Sequence, residues 1–71
     1  MSELMDAIRE ALDLRKGEAP RDTFDVGDLV ACFPQLKVFE AAAVKNTLRA
    51  NWKFLGLAPV AVGTGIWRFG T

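Results

Sequence analysis

Two prolines, Pro20 and Pro34, fix where any helix in this 71-residue chain has to stop. Proline lacks the backbone N–H that a helix interior needs, and its ring pushes the preceding residue out of helical geometry. Helices must therefore lie before Pro20, between the two prolines, or after Pro34. Upstream of Pro20, Leu4, Met5, Ile8 and Leu12 recur at helical spacing, with Ala7 and Ala11 between them. Ser2 is placed to cap this segment, Glu3 and Asp6 suit the positive end of the helix dipole, and Arg15 and Lys16 suit the negative end. The spacing predicts a first helix over residues 2–16, ended by Gly17.

Between the prolines the local chemistry is explicit. Phe24, Asp25, Asp28 and Leu29 occupy the positions of a capping box with a hydrophobic staple, Asp taking the place of the usual Glu. A short second helix is expected over residues 26–33, carrying Leu29, Val30 and Phe33, with Thr23 and Phe24 as a very short extended step before it. Asp22, Asp25 and Asp28 also have a spacing that suggests a metal loop. Capping explains them better, because the glycine and glutamate positions of a calcium loop are missing. No metal or cofactor is expected.

Beyond a turn at residues 35–38, the stretch FEAAAVKNTLRANWKFLG predicts a third and longer helix over residues 39–55, with Gly56 placed to end it. Ala41, Val44, Leu48, Trp52 and Leu55 form one apolar stripe, while Ala42, Lys45, Asn46, Arg49 and Lys53 share another face. That second face carries three cations and no anion. The period then changes from helical to alternating: Val60 and Val62 alternate, Gly63-Thr64-Gly65 makes a turn, and Trp67 and Phe69 fall opposite Ile66 and Arg68. A hairpin over residues 58–70 follows, with Trp67 and Phe69 expected to pack it onto the helices, since an isolated hairpin is marginal in water. The expected fold class is α+β, mainly α, as a single domain over residues 1–71.

Composition narrows the chemistry. With one cysteine and no histidine, an intrachain disulfide, a Cys/His zinc site and any mechanism with a histidine base are excluded. Cys32 is expected to be a small buried hydrophobe. No nucleophile paired with a base and no glycine-rich phosphate loop is visible, so an enzyme is not expected. The acidic N-terminus MSELMDAIRE is unlike a secretory signal, and no apolar run approaches the roughly 20 residues of a membrane span, so the expectation is a cytoplasmic protein without membrane contact. Net charge is zero, yet it is unevenly placed: residues 1–36 hold four basic and eight acidic side chains, residues 37–71 five basic and one acidic. A hydrophobic fraction of 51% in so short a chain further suggests self-association, for instance as a homodimer.

The order of elements, carried by TFDVGDLVACFPQL, AAAVKNTLRANWKFLGL and VAVGTGIWRF, resembles the winged helix-turn-helix family over nearly the whole chain. The LRANWKFLGLAPVAVGTGIWRF ending is similar to small winged modules of phage and plasmid replication proteins and regulators. The resemblance implies that the third helix is a recognition helix whose contact positions fall on Lys45, Asn46, Arg49 and Lys53, with Arg68 and Thr64 contributed by the wing and Lys37 by the turn before the helix. Their chemistry fits double-stranded DNA, because Arg pairs with guanine O6 and N7, Asn with adenine N6 and N7, and Lys neutralises phosphate. Two features depart from the pattern: the Gly63-Thr64-Gly65 tip has no cation, and Lys37 is the one cation between the second and third helices.

Three functions are therefore compatible with the sequence. One is a DNA-binding regulator of transcription or replication in a phage or mobile element. Another is a winged-helix module that recruits or inhibits a protein complex, favoured by the bare tip and zero net charge. The third is a structural oligomer, and for all three the cations of the third helix must be weighed against an ordinary solvated helix face.

Overall fold

Ser2 begins the first helix as expected. The computed structural model describes residues 2–61 and 63–70, and in it the Ser2 hydroxyl accepts the Met5 N–H at 3.1 Å. α1 (Glu3–Glu18) then buries Met5, Ile8, Ala11 and Leu12 on one face. Gly17 does not stop it. The helix runs to Glu18 and ends at Ala19, whose φ of −145° and ψ of 68° are non-helical. The residue preceding a proline is driven out of the helical region, so Pro20 sets this boundary, while a glycine with negative φ is tolerated in the last turn.

The capping box at Asp25 is complete. The Asp25 carboxylate accepts the Asp28 N–H at 2.8 Å, and the Asp28 carboxylate accepts the Asp25 N–H at 3.3 Å. α2 (Val26–Cys32) follows, with Leu29 fully buried. Pro34 does more than terminate it: proline at a first helical position is preorganised, and Pro34–Leu36 forms a single 3-10 turn that carries Leu36 into the core. Residues 33–40 thus join α2 to the next helix through a packed turn. This 3-10 turn packs on both α1 and α2.

α3 (Ala41–Asn51) buries Val44 and Leu48. Its regular part is shorter than residues 39–55 at both ends, because Phe39 and Glu40 belong to the approach and the ladder loosens after Asn51. The chain nevertheless keeps turning. The Leu55 N–H still reaches the Asn51 carbonyl at 2.9 Å, the Gly56 N–H donates to Lys53 at 3.2 Å, and the Leu57 N–H donates to Trp52 at 2.8 Å. The last two bonds form a Schellman closure around Gly56, whose φ of 75° is the left-handed value that favours glycine. Gly56 therefore ends the helical path at the expected place.

β1 (Leu57–Pro59) pairs antiparallel with β2 (Trp67–Phe69), Leu57 opposite Phe69 and Pro59 opposite Trp67. Pairing begins earlier than the alternation of Val60 and Val62 suggests; Val60 extends it through its N–H to Ile66 at 3.0 Å, and Val62 lies outside the described residues. Inward-facing Leu57 and Trp67 set this register, since a one-residue slip of either strand would turn its own inward residue to the outer face. Pro59 has no N–H to offer along the outer side of β1, which blunts that edge against further strands. Phe24 bridges to Trp67 on the other edge, with N–H···O distances of 2.9 and 2.7 Å in the two directions. The expected extended step at Thr23 and Phe24 is thus a third, one-residue contact of the sheet.

The result is an α+β fold, mainly α, of three helices and a two-stranded hairpin, compatible with a winged-helix layout. One cluster joins Ile8 and Leu12 of α1, Phe24, Leu29, Leu36, Val44 and Leu48, and the hairpin's Leu57 and Trp67. Two aromatic pairs fasten the hairpin, Phe24 to Phe69 at 5.3 Å and Trp52 to Trp67 at 6.3 Å between ring centroids, each worth about 0.5–1.5 kcal/mol beyond burial. The accessible surface is 4593 Å², near the roughly 4,400 Å² expected for a folded monomer of this mass. Among the described residues, no helix is long and apolar enough to cross a membrane.

Candidate nucleic-acid interface

With Val44 and Leu48 turned into the core, helical periodicity leaves Ala42, Lys45, Asn46 and Arg49 exposed on α3, followed by exposed Lys53 in the turn beyond it. Lys45 and Arg49 stand one turn apart, about 6 Å along the helix axis. Both lie beside the hairpin. Together with Trp52, Pro59, Ala61, Gly63, Thr64, Gly65, Ile66 and Trp67 they line a groove of about 370 Å³ between α3 and the hairpin. No lining side chain is acidic, so the groove has two cations along the helix wall and an apolar wall of indoles and Ile66.

The other expected contact residues are distributed around this groove. Thr64 lines it, but its hydroxyl donates to the Ala61 carbonyl at 2.8 Å and accepts the Ile66 N–H at 3.3 Å, so it builds the tip of the hairpin. Lys53 sits outside the lining, its ammonium 5.3 Å from the centroid of the Trp52 ring. Asn46 is exposed on α3. Arg68 is exposed on β2 opposite Ala58, on the face turned away from buried Trp67. Lys37 is exposed at the end of the 3-10 turn and does not line the groove. The fold therefore gathers Lys45, Arg49 and Thr64 into one groove, while Asn46, Lys53, Arg68 and Lys37 are not part of its lining.

Sequence periodicity did not reveal the aromatic wall. Trp52 reads as one member of the apolar stripe of the third helix, and it is only half-buried, standing just past the last residue of α3. Trp67 is buried as expected, yet one side of it contributes to the groove. Cys32 departs from expectation: it is exposed, because the short α2 turns Leu29 inward and leaves its last residue on the outer side. An Arg15 guanidinium nitrogen lies 3.7 Å from the Cys32 sulfur and another 3.4 Å from the Thr23 carbonyl, while the group sits 5.7 Å from the Phe24 ring centroid. Arg15 is thus a strap across α1, α2 and the extended step. Asp25 and Asp28 are engaged in the capping box.

Chemically, the α3 face and the groove suit a polyanion or an acidic partner. Arg49 can form two parallel hydrogen bonds to a base edge or a phosphate, and Lys45 acts as a point charge beside it. No family model, curated protein or solved structure matches the chain.

Proposed function

We propose that this chain is a winged-helix DNA-binding protein, of the kind that regulates transcription or replication in a phage or mobile element. α3 enters the major groove, with Asn46 and Arg49 reaching base edges, while Lys45, Lys53 and Arg68 hold phosphates and the hairpin lies along the adjacent backbone. The observation that carries this reading is the acid-free cationic face of α3, set beside a hairpin across a groove with no carboxylate in its lining. Binding, not catalysis, is the proposed role, in keeping with the absence of histidine. A mobility-shift selection on a randomised duplex pool tests it: enrichment of a common sequence is expected, and no retained duplex at low salt overturns it.

A second reading is supported by the apolar wall. Trp52, Trp67 and Ile66 line the groove and the hairpin tip carries no cation, which suits a protein partner with acidic and apolar side chains. Arg49→Glu separates the two. Loss of duplex binding supports the DNA reading, whereas unchanged duplex binding with loss of a protein partner supports the second.

A further inference from the structure

The acidic residues of α1 match the cationic groove in charge and spacing. Asp6, Glu10 and Asp13 are exposed along one side of α1, where with Arg9 and Leu14 they border a shallow depression. Asp6 and Glu10 are one turn apart, about 6 Å along the helix axis, which is the axial spacing of Lys45 and Arg49 on α3. Each surface also has an apolar neighbour: Leu14 is 49% exposed beside the acids, and Ile66 is 37% exposed in the wall of the groove. The depression on α1 holds three carboxylates and the single cation Arg9, whereas the groove holds two cations and no carboxylate, so the two surfaces are opposite in net charge on one neutral molecule.

We propose that the α3–hairpin groove takes α1 of a second copy of this chain, Asp6 and Glu10 facing Lys45 and Arg49 with Leu14 against Ile66. The contact joins two different surfaces, so a joined pair keeps one free α1 face and one free groove, and the association is head-to-tail and open-ended rather than a closed dimer. Because the interacting charges are exposed, the contact weakens as salt shortens the screening length, from about 20 Å near 25 mM to about 8 Å at physiological ionic strength. It uses the same cations as the DNA reading, so duplex and a second copy compete for one face. The contact itself does not depend on DNA being the ligand.

Light scattering on the full chain, with Glu10→Lys and Arg49→Glu variants, tests this directly. Both positions are exposed, and circular dichroism checks that each variant keeps its helices. The wild-type mass is expected to rise with protein concentration near 25 mM salt and to return to 7.8 kDa in high salt. Each variant alone is expected to stay monomeric, because it places like charges across the contact. An equimolar mixture restores association, since every contact between unlike variants is again between opposite charges. A wild type that stays monomeric at low salt, association that survives either reversal, or a mixture that does not reassociate overturns the proposal. Failure of the DNA reading looks different: the wild type retains no duplex while the mixture still reassociates, and Glu10→Lys leaves any duplex binding in place.

Discussion

Phe24 ties the hairpin to the helices, and its removal should show how far the fold depends on that tie. Its side chain is 1% exposed, its ring packs 5.3 Å from Phe69, and its backbone bridges Trp67 in both directions. Truncating a buried phenylalanine to alanine costs about 3–5 kcal/mol. A chain of this length has a total stability of about 4–11 kcal/mol, so Phe24→Ala should lose a large share of it. With a urea slope of about 1–1.5 kcal/mol per molar for so small a domain, the unfolding midpoint should fall by at least about 2 M, or the variant should be unfolded without urea. Both substitutions leave the backbone groups of the bridge in place, but Phe24→Leu also keeps most of the buried volume and should lose considerably less. Tryptophan fluorescence during urea unfolding reads both variants, because Trp67 is the residue to which Phe24 is bonded. A midpoint shift below about 0.5 M for Phe24→Ala would refute the role assigned to this contact.

The boundary of α3 and the division of labour on its face give further tests. Gly56→Ala forces a Cβ into a backbone with φ of 75° and should cost about 1–2 kcal/mol in the same urea assay, whereas no loss would mean that the Schellman closure does not hold this turn. Lys45→Ala should reduce the slope of log K against log salt for duplex binding by about one unit, and Asn46→Ala should relax base preference with little change in slope. The reverse pattern in fluorescence anisotropy would disprove the roles given to these two residues.

Features built from neighbouring residues were legible in the sequence, and features built from tertiary packing were not. The capping box needs only Asp25 and Asp28, three residues apart, and it forms as read; so do the Ser2 cap and the turn at Gly56. The end of α1 was misplaced because Gly17 and Pro20 compete as terminators, and proline constrains its neighbour sterically whereas a glycine merely permits an ending. The start of β1 was misplaced because alternation at Val60 and Val62 carries no information about register. Register follows from which side chains the core accepts, here Leu57 and Trp67. Helical spacing alone puts Lys45 and Arg49 on one face of the third helix; their role as contacts comes from the winged-helix resemblance. Their groove is not legible in the sequence, since its opposite wall comes from Pro59, Ala61 and the Gly63-to-Trp67 stretch and meets α3 only after the hairpin folds back onto Phe24. Cys32 shows the same limit, for composition favours burial while the phase of a seven-residue helix decides otherwise.

The central claim is that the cationic face of α3 beside the hairpin binds the DNA backbone and bases, and duplex affinity measured across a salt series tests it most directly. With Lys45, Lys53 and Arg68 as the phosphate-holding cations, log K should fall against log salt with a slope of about −3 per protein bound. No binding at low salt, or an affinity that does not change with salt, would contradict the account.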